Sequence, residues 1–266
     1  MSQRPIVALI AAYNERRFLA RCLEHLFRHG IAVYIVDNES TDNTREIAEA
    51  ASTHPLFVGM RTLPRDRVYD EHSVLHTKEA LALELDARWF IHVDPDEIHL
   101  PPVGFDTLAS AIDAASDAGY TAIESLEFTF VPTEEARDHD HAAYIETMRH
   151  YYPFGPRQPH LIRAWRNLHT PVDLVSTGGH EARFAGRAVS PQPFRMKHYL
   201  FLSAPHAVEK YVKRRYSQQE VAAGWHGWRA RLTPESIQLP SQRELRLTAS
   251  DDDLDFSAPR TRHVLD

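Results

Sequence analysis

The chain has 266 residues, 43% of them hydrophobic, and a formal net charge of -7. That length can bury a large core, and it favours one decorated α/β domain over two small ones. The acidic balance excludes a broad electrostatic grip on nucleic acid. No run reaches the roughly 18 uninterrupted apolar residues of a membrane span, and Met1 to Pro5 leads into the run Ile6 to Ala12 with no room for a secretory signal. We therefore expect a soluble, cytoplasmic protein, with peripheral membrane contact and oligomeric state left open. The single cysteine, Cys22, rules out an internal disulfide and a Cys-based zinc site. Its place on the apolar face of a predicted helix reads as a small buried hydrophobe, not a nucleophile.

From residue 6 to about residue 100, short apolar runs alternate with helical ones, the pattern of βαβ units and a parallel sheet. Ile6 to Ala12 reads as a buried strand. Phe18, Leu19, Cys22, Leu23, Leu26 and Phe27 then recur at helical spacing, with Gly30 as C-cap candidate. Val33 to Val36 is a second strand, and Ser40 or Thr41 is expected to cap a helix over Asp42 to Ala51. Leu56 to Arg61 reads as a third strand, 64–72 as a polar loop and Ser73 to Ala87 as a helix. Trp89 to Val93 is then a buried strand that runs into Asp94-Pro95-Asp96-Glu97.

Phe105, Leu108, Ile112 and Ala115 mark another amphipathic helix, ended by Gly119, and Thr121 to Val131 a long strand. Residues 132–160, rich in Pro, His, Arg and Tyr, read as loop, where α/β proteins vary their substrate contacts. His160 to Arg166, Ala182 to Val189 and Phe194 to Leu202 are weaker strand candidates, and Ala204 to Ala223 a basic helix. The tail from Ser241 to Asp266, with few large apolar residues and an acidic run at Asp251-Asp252-Asp253, is expected to pack loosely.

Ligands of a parallel α/β sheet bind beyond the carboxyl ends of its strands. Asp94 and Asp96 lie at such an end, where two carboxylates two residues apart can share one hard cation, Mg²⁺ or Mn²⁺, with phosphates as co-ligands. The competing reading has Asp94 capping a turn while Asp96 and Glu97 are solvated. The first strand ends in Ala12-Tyr13-Asn14-Glu15 and the second in Asp37-Asn38-Glu39-Ser40-Thr41-Asp42. Asp37 is placed to accept hydrogen bonds from a nucleobase and a ribose hydroxyl. N-capping by Asn14, Ser40 or Thr41 is the plainer role for those residues.

Strand-Tyr13-Asn14-Glu15, then Val36-Asp37-Asn38-Glu39-Ser40-Thr41-Asp42, then Trp89 to Val93 followed by Asp94-Pro95-Asp96-Glu97, resembles in order and spacing the family 2 glycosyltransferases. The closer likeness is to the branch with Asp-x-Asp-Glu after an aromatic strand. The resemblance covers about the first hundred residues. It implies a GT-A (Rossmann-like) fold, a mixed, mainly parallel sheet flanked by helices with a C-terminal helical or lid extension. One domain would span 1–240, with a nucleotide-binding half (1–103) and an acceptor half and lid (104–240), before the tail 241–266. It also implies that Ala12, Asn14 and Glu15 line the nucleotide, that Asp37 contacts the base, and that Asp94 meets ribose or metal. Asp96 would bind the metal that bridges the donor's diphosphate. Where the family often has a Gly-containing turn after the base-contacting acid, this chain has Asn38-Glu39-Ser40. Lys78 falls where such enzymes can carry a basic residue near the nucleotide, with a solvated lysine as the alternative.

In the second half, Ser176-Thr177-Gly178-Gly179-His180-Glu181 delivers an acid and a histidine from a glycine turn. Glu181 is the first candidate for the general base that takes the acceptor hydroxyl's proton, and His180 the second. A plain hairpin turn is the rival reading. His198 resembles the late histidine that some GT-A enzymes add as a metal ligand. Lys210, Lys213, Arg214 and Arg215 can neutralise a departing diphosphate or form a solvated face. Gly224-Trp225-His226-Gly227-Trp228 reads as an aromatic lid or a core anchor. Arg137-Asp138-His139-Asp140-His141 is a weaker metal candidate.

The reading is a metal-dependent glycosyltransferase that takes a UDP- or GDP-type sugar donor and a glycan or other hydroxyl acceptor, with inversion implied by the resemblance alone. A nucleotidyltransferase on a similar sheet is the enzyme rival, although it usually needs a glycine-rich basic loop after the first strand. A nucleotide- or glycan-binding protein without turnover is the other.

Overall fold

The structure, a computed structural model, describes residues 4–266 apart from the side chain of Trp228. In chain order its elements are β1 (Ile6–Ala12), α1 (Leu19–Arg28), β2 (Ala32–Asp37), α2 (Thr44–Ala50), β3 (Phe57–Thr62), α3 (Glu71–Glu84), β4 (Trp89–Val93), β5 (Glu97–Leu100), α4 (Leu108–Asp117), β6 (Ala122–Phe130) and α5 (Tyr144–Thr147). There follow β7 (His150–Phe154), β8 (Leu161–Arg166), β9 (Phe194–Tyr199), α6 (Ala204–Ala207), α7 (Gln218–Ala222) and β10 (Arg246–Leu247), with short single-turn helices between. The chain forms two interleaved units. One holds the residues up to Arg65 with Glu71–Ser125 and Pro159–Met196, and the other holds Asp66–Asp70, Leu126–Gln158 and Lys197–Asp266.

The first unit is a mixed, mainly parallel α/β sheet. β1 pairs in parallel with β2 and β4, and β2 with β3. β8 adds antiparallel to β4, and the start of β6 antiparallel to β8. β1, β2 and β4 are apolar at nearly every position because helices cover both faces of such a sheet and leave no solvent side. Register aligns their ends: Ala12 sits opposite Asp37, and Ile10 opposite Val93. The residues that follow all three strands therefore emerge along one edge.

α1 buries Leu19, Cys22, Leu23 and Leu26, one stripe at helical spacing. Gly30 follows at φ 73°, a left-handed value that a side chain would resist. α4 opens on a capping box in which Thr107 and Ser110 each satisfy the other's backbone amide. The helix at residue 42 starts differently from expectation. Ser40 and Thr41 bond to Asn14, and Asp42 Oδ1 instead accepts from the Thr44 amide at 2.9 Å. Cys22 is buried in this core, and burial pushes its thiol pKa up, as the structural reading requires.

The second unit pairs the end of β6 with β7 and β7 with β10, all antiparallel. Its core includes Val131, Tyr152, Phe154, Leu200, Phe201, Tyr211 and Leu265. Three expectations change here. Residues 132–160 are not all loop, since β7 and α5 form within them. The basic stretch 204–223 is no single helix: α6 passes into a π-turn at Val208–Val212, and α7 restarts at residue 218. The break follows from competition, because Tyr69 exchanges backbone hydrogen bonds with Arg215 and Ser217 at 2.7 and 3.0 Å, and Ser217 then caps α7. Nor is the tail loose. His263 stacks on Phe154 with ring centroids 3.8 Å apart, and Arg260 donates its backbone amide to Pro153 O at 2.9 Å. In the first unit, 182–189 forms isolated bridges instead of a strand. Among the described residues, no helix is long and apolar enough to cross a membrane.

Candidate active site

The ends of β1 and β2 build one corner of the site. Asn14 turns the chain at φ 56° and ties itself to the β2 loop, accepting the Thr41 amide on Oδ1 at 2.7 Å. Its own amide donates to Ser40 Oγ at 3.1 Å, and the Glu15 amide to Thr44 Oγ1 at 2.7 Å. Asp37 is 1% exposed, and its Oδ1 accepts the Ser40 amide at 3.2 Å. Its Oδ2 is buried without a hydrogen-bond partner. A buried carboxylate oxygen in that condition costs free energy unless a ligand donor completes it.

Arg65, which the sequence reading did not single out, closes this corner. Its guanidinium lies 3.4 Å from the centre of the Tyr13 ring and donates to Asn38 Oδ1 at 2.8 Å, while its amide donates to Glu39 Oε2 at 3.0 Å. The Asn38-Glu39-Ser40 turn thus anchors an arginine-capped aromatic plate. Ala12 contributes its carbonyl, which accepts the Asn38 amide at 2.8 Å.

The acidic turn after β4 is the second corner. Asp94 is half-buried, with Oδ2 3.2 Å from Arg163 Nη1 and Oδ1 3.5 Å from His92 Nε2 and 3.9 Å from Lys78 Nζ. Burial opposes its ionisation, but Arg163, His92 and Lys78 together hold its carboxyl well below the usual range. Lys78, 1% exposed on α3, donates to Val93 O at 3.3 Å. Burial draws its pKa down to about 8, against the pull of Asp94. Burial likewise lowers His92 to about 3, so that ring is neutral. Asp96 and Glu97 are both buried, and Glu97 contacts Arg163 and lies 3.2 Å from His99 Nε2.

The glycine turn lies close by in the same unit. Glu79 of α3 accepts the amides of Leu174 and Val175 at 2.7 and 3.1 Å, which fixes the start of the loop. A Cβ on Gly179 would come within 2.8 Å of His92 Cε1. The backbone of His180 and Ala182 bonds to Ile162, so Glu181 runs alongside β8. Glu181 is buried, 3.4 Å from Arg187 and 3.7 Å from Arg183, and the His180 ring lies 5.3 Å from that of His160. Lys78, Asp94, Asp96, His180 and Glu181 therefore belong to one unit with Asn14, Glu15 and Asp37.

His198 and Lys210 belong to the second unit. His198 Nδ1 donates to Glu127 Oε1 at 2.7 Å, a carboxylate support that orients Nε2 as a metal ligand needs. Lys210 donates to Leu200 O at 3.2 Å from the π-turn. Trp225 is bonded to Glu220 through its amide, His226 packs near Tyr69 and Tyr216, and the Trp228 side chain lies outside the described residues. His139 spends Nδ1 on Thr147 at 2.9 Å. Among the described residues no three His, Cys, Asp or Glu side chains are gathered into a metal-binding group. The donor set at residues 94 and 96 still fits a hard cation. Such an ion takes one or two carboxylates and completes its shell with water and substrate phosphate.

Residues 7–120, which carry both corners except Arg163, match the family model described as glycosyl transferase family 2. That segment is similar to family 2 and makes up less than half of the chain. Among solved structures, the chain is similar to *S. aureus* TarS 1-349 in complex with UDP at 13% identity, over 77% of this chain and 65% of that one, with a TM-score of 0.46. It is similar to the mannosyltransferase PcManGT from Pyrobaculum calidifontis, in complex with GDP-Man and Mn²⁺, at 20% identity over 48% of this chain and 36% of that one, TM-score 0.36. Glucosyl-3-phosphoglycerate synthase from Mycobacterium tuberculosis, in complex with Mg²⁺ and UDP, follows at 14% identity over 47% and 44%, TM-score 0.32. The chain spans less than two thirds of the length of each of these three chains. A search of curated proteins finds no match.

Proposed function

We propose that the protein is a metal-dependent glycosyltransferase that moves a sugar from a nucleoside-diphosphate sugar to an acceptor hydroxyl with inversion. The observation that carries this reading is the buried Asp37 Oδ2, left without a partner beside the Tyr13–Arg65 plate at the end of β2. An acceptor that needs a donor, next to a flat aromatic face, suits a nucleobase with a ring N–H. Uracil and guanine have one, which fits the proposed UDP or GDP donor.

Asp94 and Asp96 are the residues that would hold Mn²⁺ or Mg²⁺. A bound divalent cation there supplies charge neutralisation for the departing nucleoside diphosphate. Lys78 adds a buried positive charge at the same turn. Ala12, Asn14 and Glu15 shape the nucleotide floor through their backbone. Glu181 is the candidate base for the acceptor proton, with His180 as the alternative.

The nucleotidyltransferase reading is disfavoured by the same corner. Its phosphate-binding loop needs available backbone amides, whereas those of Asn14 and Glu15 are already given to Ser40 and Thr44. Turnover tests the proposal: hydrolysis of UDP- and GDP-sugars with Mn²⁺ should release sugar, and Glu181→Gln should cut the rate by about a hundredfold or more while nucleotide still binds. Cleavage between the phosphates, or full turnover by Glu181→Gln, would contradict the assignment it addresses.

A further inference from the structure

Arg163 stands on β8 between Ile162 and Ala164, two fully buried apolar residues. Taking a guanidinium out of water costs several kcal/mol unless partners offset it. Nη1 alone supplies two: one N–H donates to Asp94 Oδ2 at 3.2 Å, and the other meets Glu97 Oε1. The second oxygen of Glu97 accepts the Asp94 amide at 3.1 Å, and the Glu97 amide donates to Asp94 O at 3.0 Å. Side chains and backbone of residues 94 and 97 are thus closed into one ring through Arg163.

Exposure is graded across that ring. The side chains of Glu97 and Arg163 are 2% and 9% exposed, and that of Asp94 is 40%. The clamp lies behind and the Asp94 carboxylate faces out, so its orientation is set from the buried side. Charge is partly balanced as well. Lys78 and Arg163 offset two of the turn's three carboxylates, Asp94 and Glu97, where an anionic ligand arrives.

We propose that Arg163 is a positioning residue for donor binding: it aims the Asp94 carboxylate and cancels the charge that would repel the donor's diphosphate. This inference rests on the nucleoside-diphosphate-sugar reading above. Without the guanidinium, Asp94 and Glu97 share only Lys78 as a cationic counterpart, and the negative charge beside an anion site grows by one. A lysine in its place keeps the charge but not the reach to both partners.

Titration calorimetry of the full chain with UDP and with GDP, each with Mn²⁺, tests this on wild type, Arg163→Met and Arg163→Lys, alongside thermal unfolding and the donor KM. Arg163→Met should bind about tenfold or more weakly, with Arg163→Lys between it and wild type. The loss should fall on donor KM more than on kcat. A purely structural role would reduce the folded fraction and leave the KM of the remainder unchanged. Should Arg163→Met fail to fold, Glu97→Gln takes its place, since it keeps shape and arginine but loosens the clamp, and a several-fold weaker affinity is expected. Wild-type affinity in a folded Arg163→Met or Glu97→Gln overturns the inference and leaves the nucleotide reading standing. Failure of wild type to bind either nucleotide overturns both.

Discussion

At the scale of single residues, the first unit carries buried groups held in the protonation state their surroundings dictate. His25 on α1 shows the consequence most simply. Burial, with His29 beside it, lowers its pKa to about 3 from an ordinary 6.5. The folded protein keeps the ring neutral, whereas the unfolded chain takes up a proton below the ordinary value. Between about 6.5 and about 3 the unfolded state therefore binds more protons, and stability falls as pH falls. His29 shifts the same way, again mainly through burial. Urea titrations at stepwise lower pH should show unfolding free energy dropping by up to about 1.4 kcal/mol per pH unit for a fully shifted group. His25→Gln should flatten that slope, and an unchanged slope would count against the assignment. Asp37, Asp94 and Asp96 could be read from sequence because each follows a buried strand directly. Arg65 and Arg163 could not, because their partners Asn38 and Asp94 lie 27 and 69 residues away and only the fold brings them together.

At the scale of elements, the parallel strands and α1 were legible because period and composition agreed there. Short runs of Ile, Val and Leu bounded by turn residues fit interior strands, and a stripe at helical spacing fits a helix packed on a core. Legibility failed where tertiary contacts outbid local pattern. The basic stretch 204–223 gives residues 215–217 to Tyr69, and 182–189 is drawn into single bridges with several neighbours. The glycine turn makes an element-level prediction. Gly178 and Gly179 have φ of 61° and 73°, but a Cβ on Gly178 would meet nothing closer than 3.7 Å, while one on Gly179 would press on His92 and Leu75 at 2.8 and 3.1 Å. Gly178→Ala should cost about 1 kcal/mol, from backbone conformation alone. Gly179→Ala should cost about 2 to 4 kcal/mol, because strain and overpacking add. Equal costs in urea unfolding would show that the turn does not sit tightly against β4.

At the scale of the whole molecule, the sequence suggested one domain and a trailing acidic tail. The chain forms two interleaved units, and the tail packs into the second through β10, His263 and Leu265. Short apolar residues and histidines that pack only by meeting Phe154 and Tyr152 left no periodic signal to read. The first unit unites the Asp37 corner with the acidic turn, and the family 2 match spans most of both. We propose that these corners form one metal-assisted nucleotide site. The direct test is titration calorimetry of UDP and GDP, with and without Mn²⁺, on wild type and on Asp96→Ala checked for folding by thermal unfolding. The account predicts that Mn²⁺ tightens wild-type binding about tenfold or more and that Asp96→Ala loses this gain while still folding. Binding that is indifferent to Mn²⁺, or a full metal effect in Asp96→Ala, would contradict it.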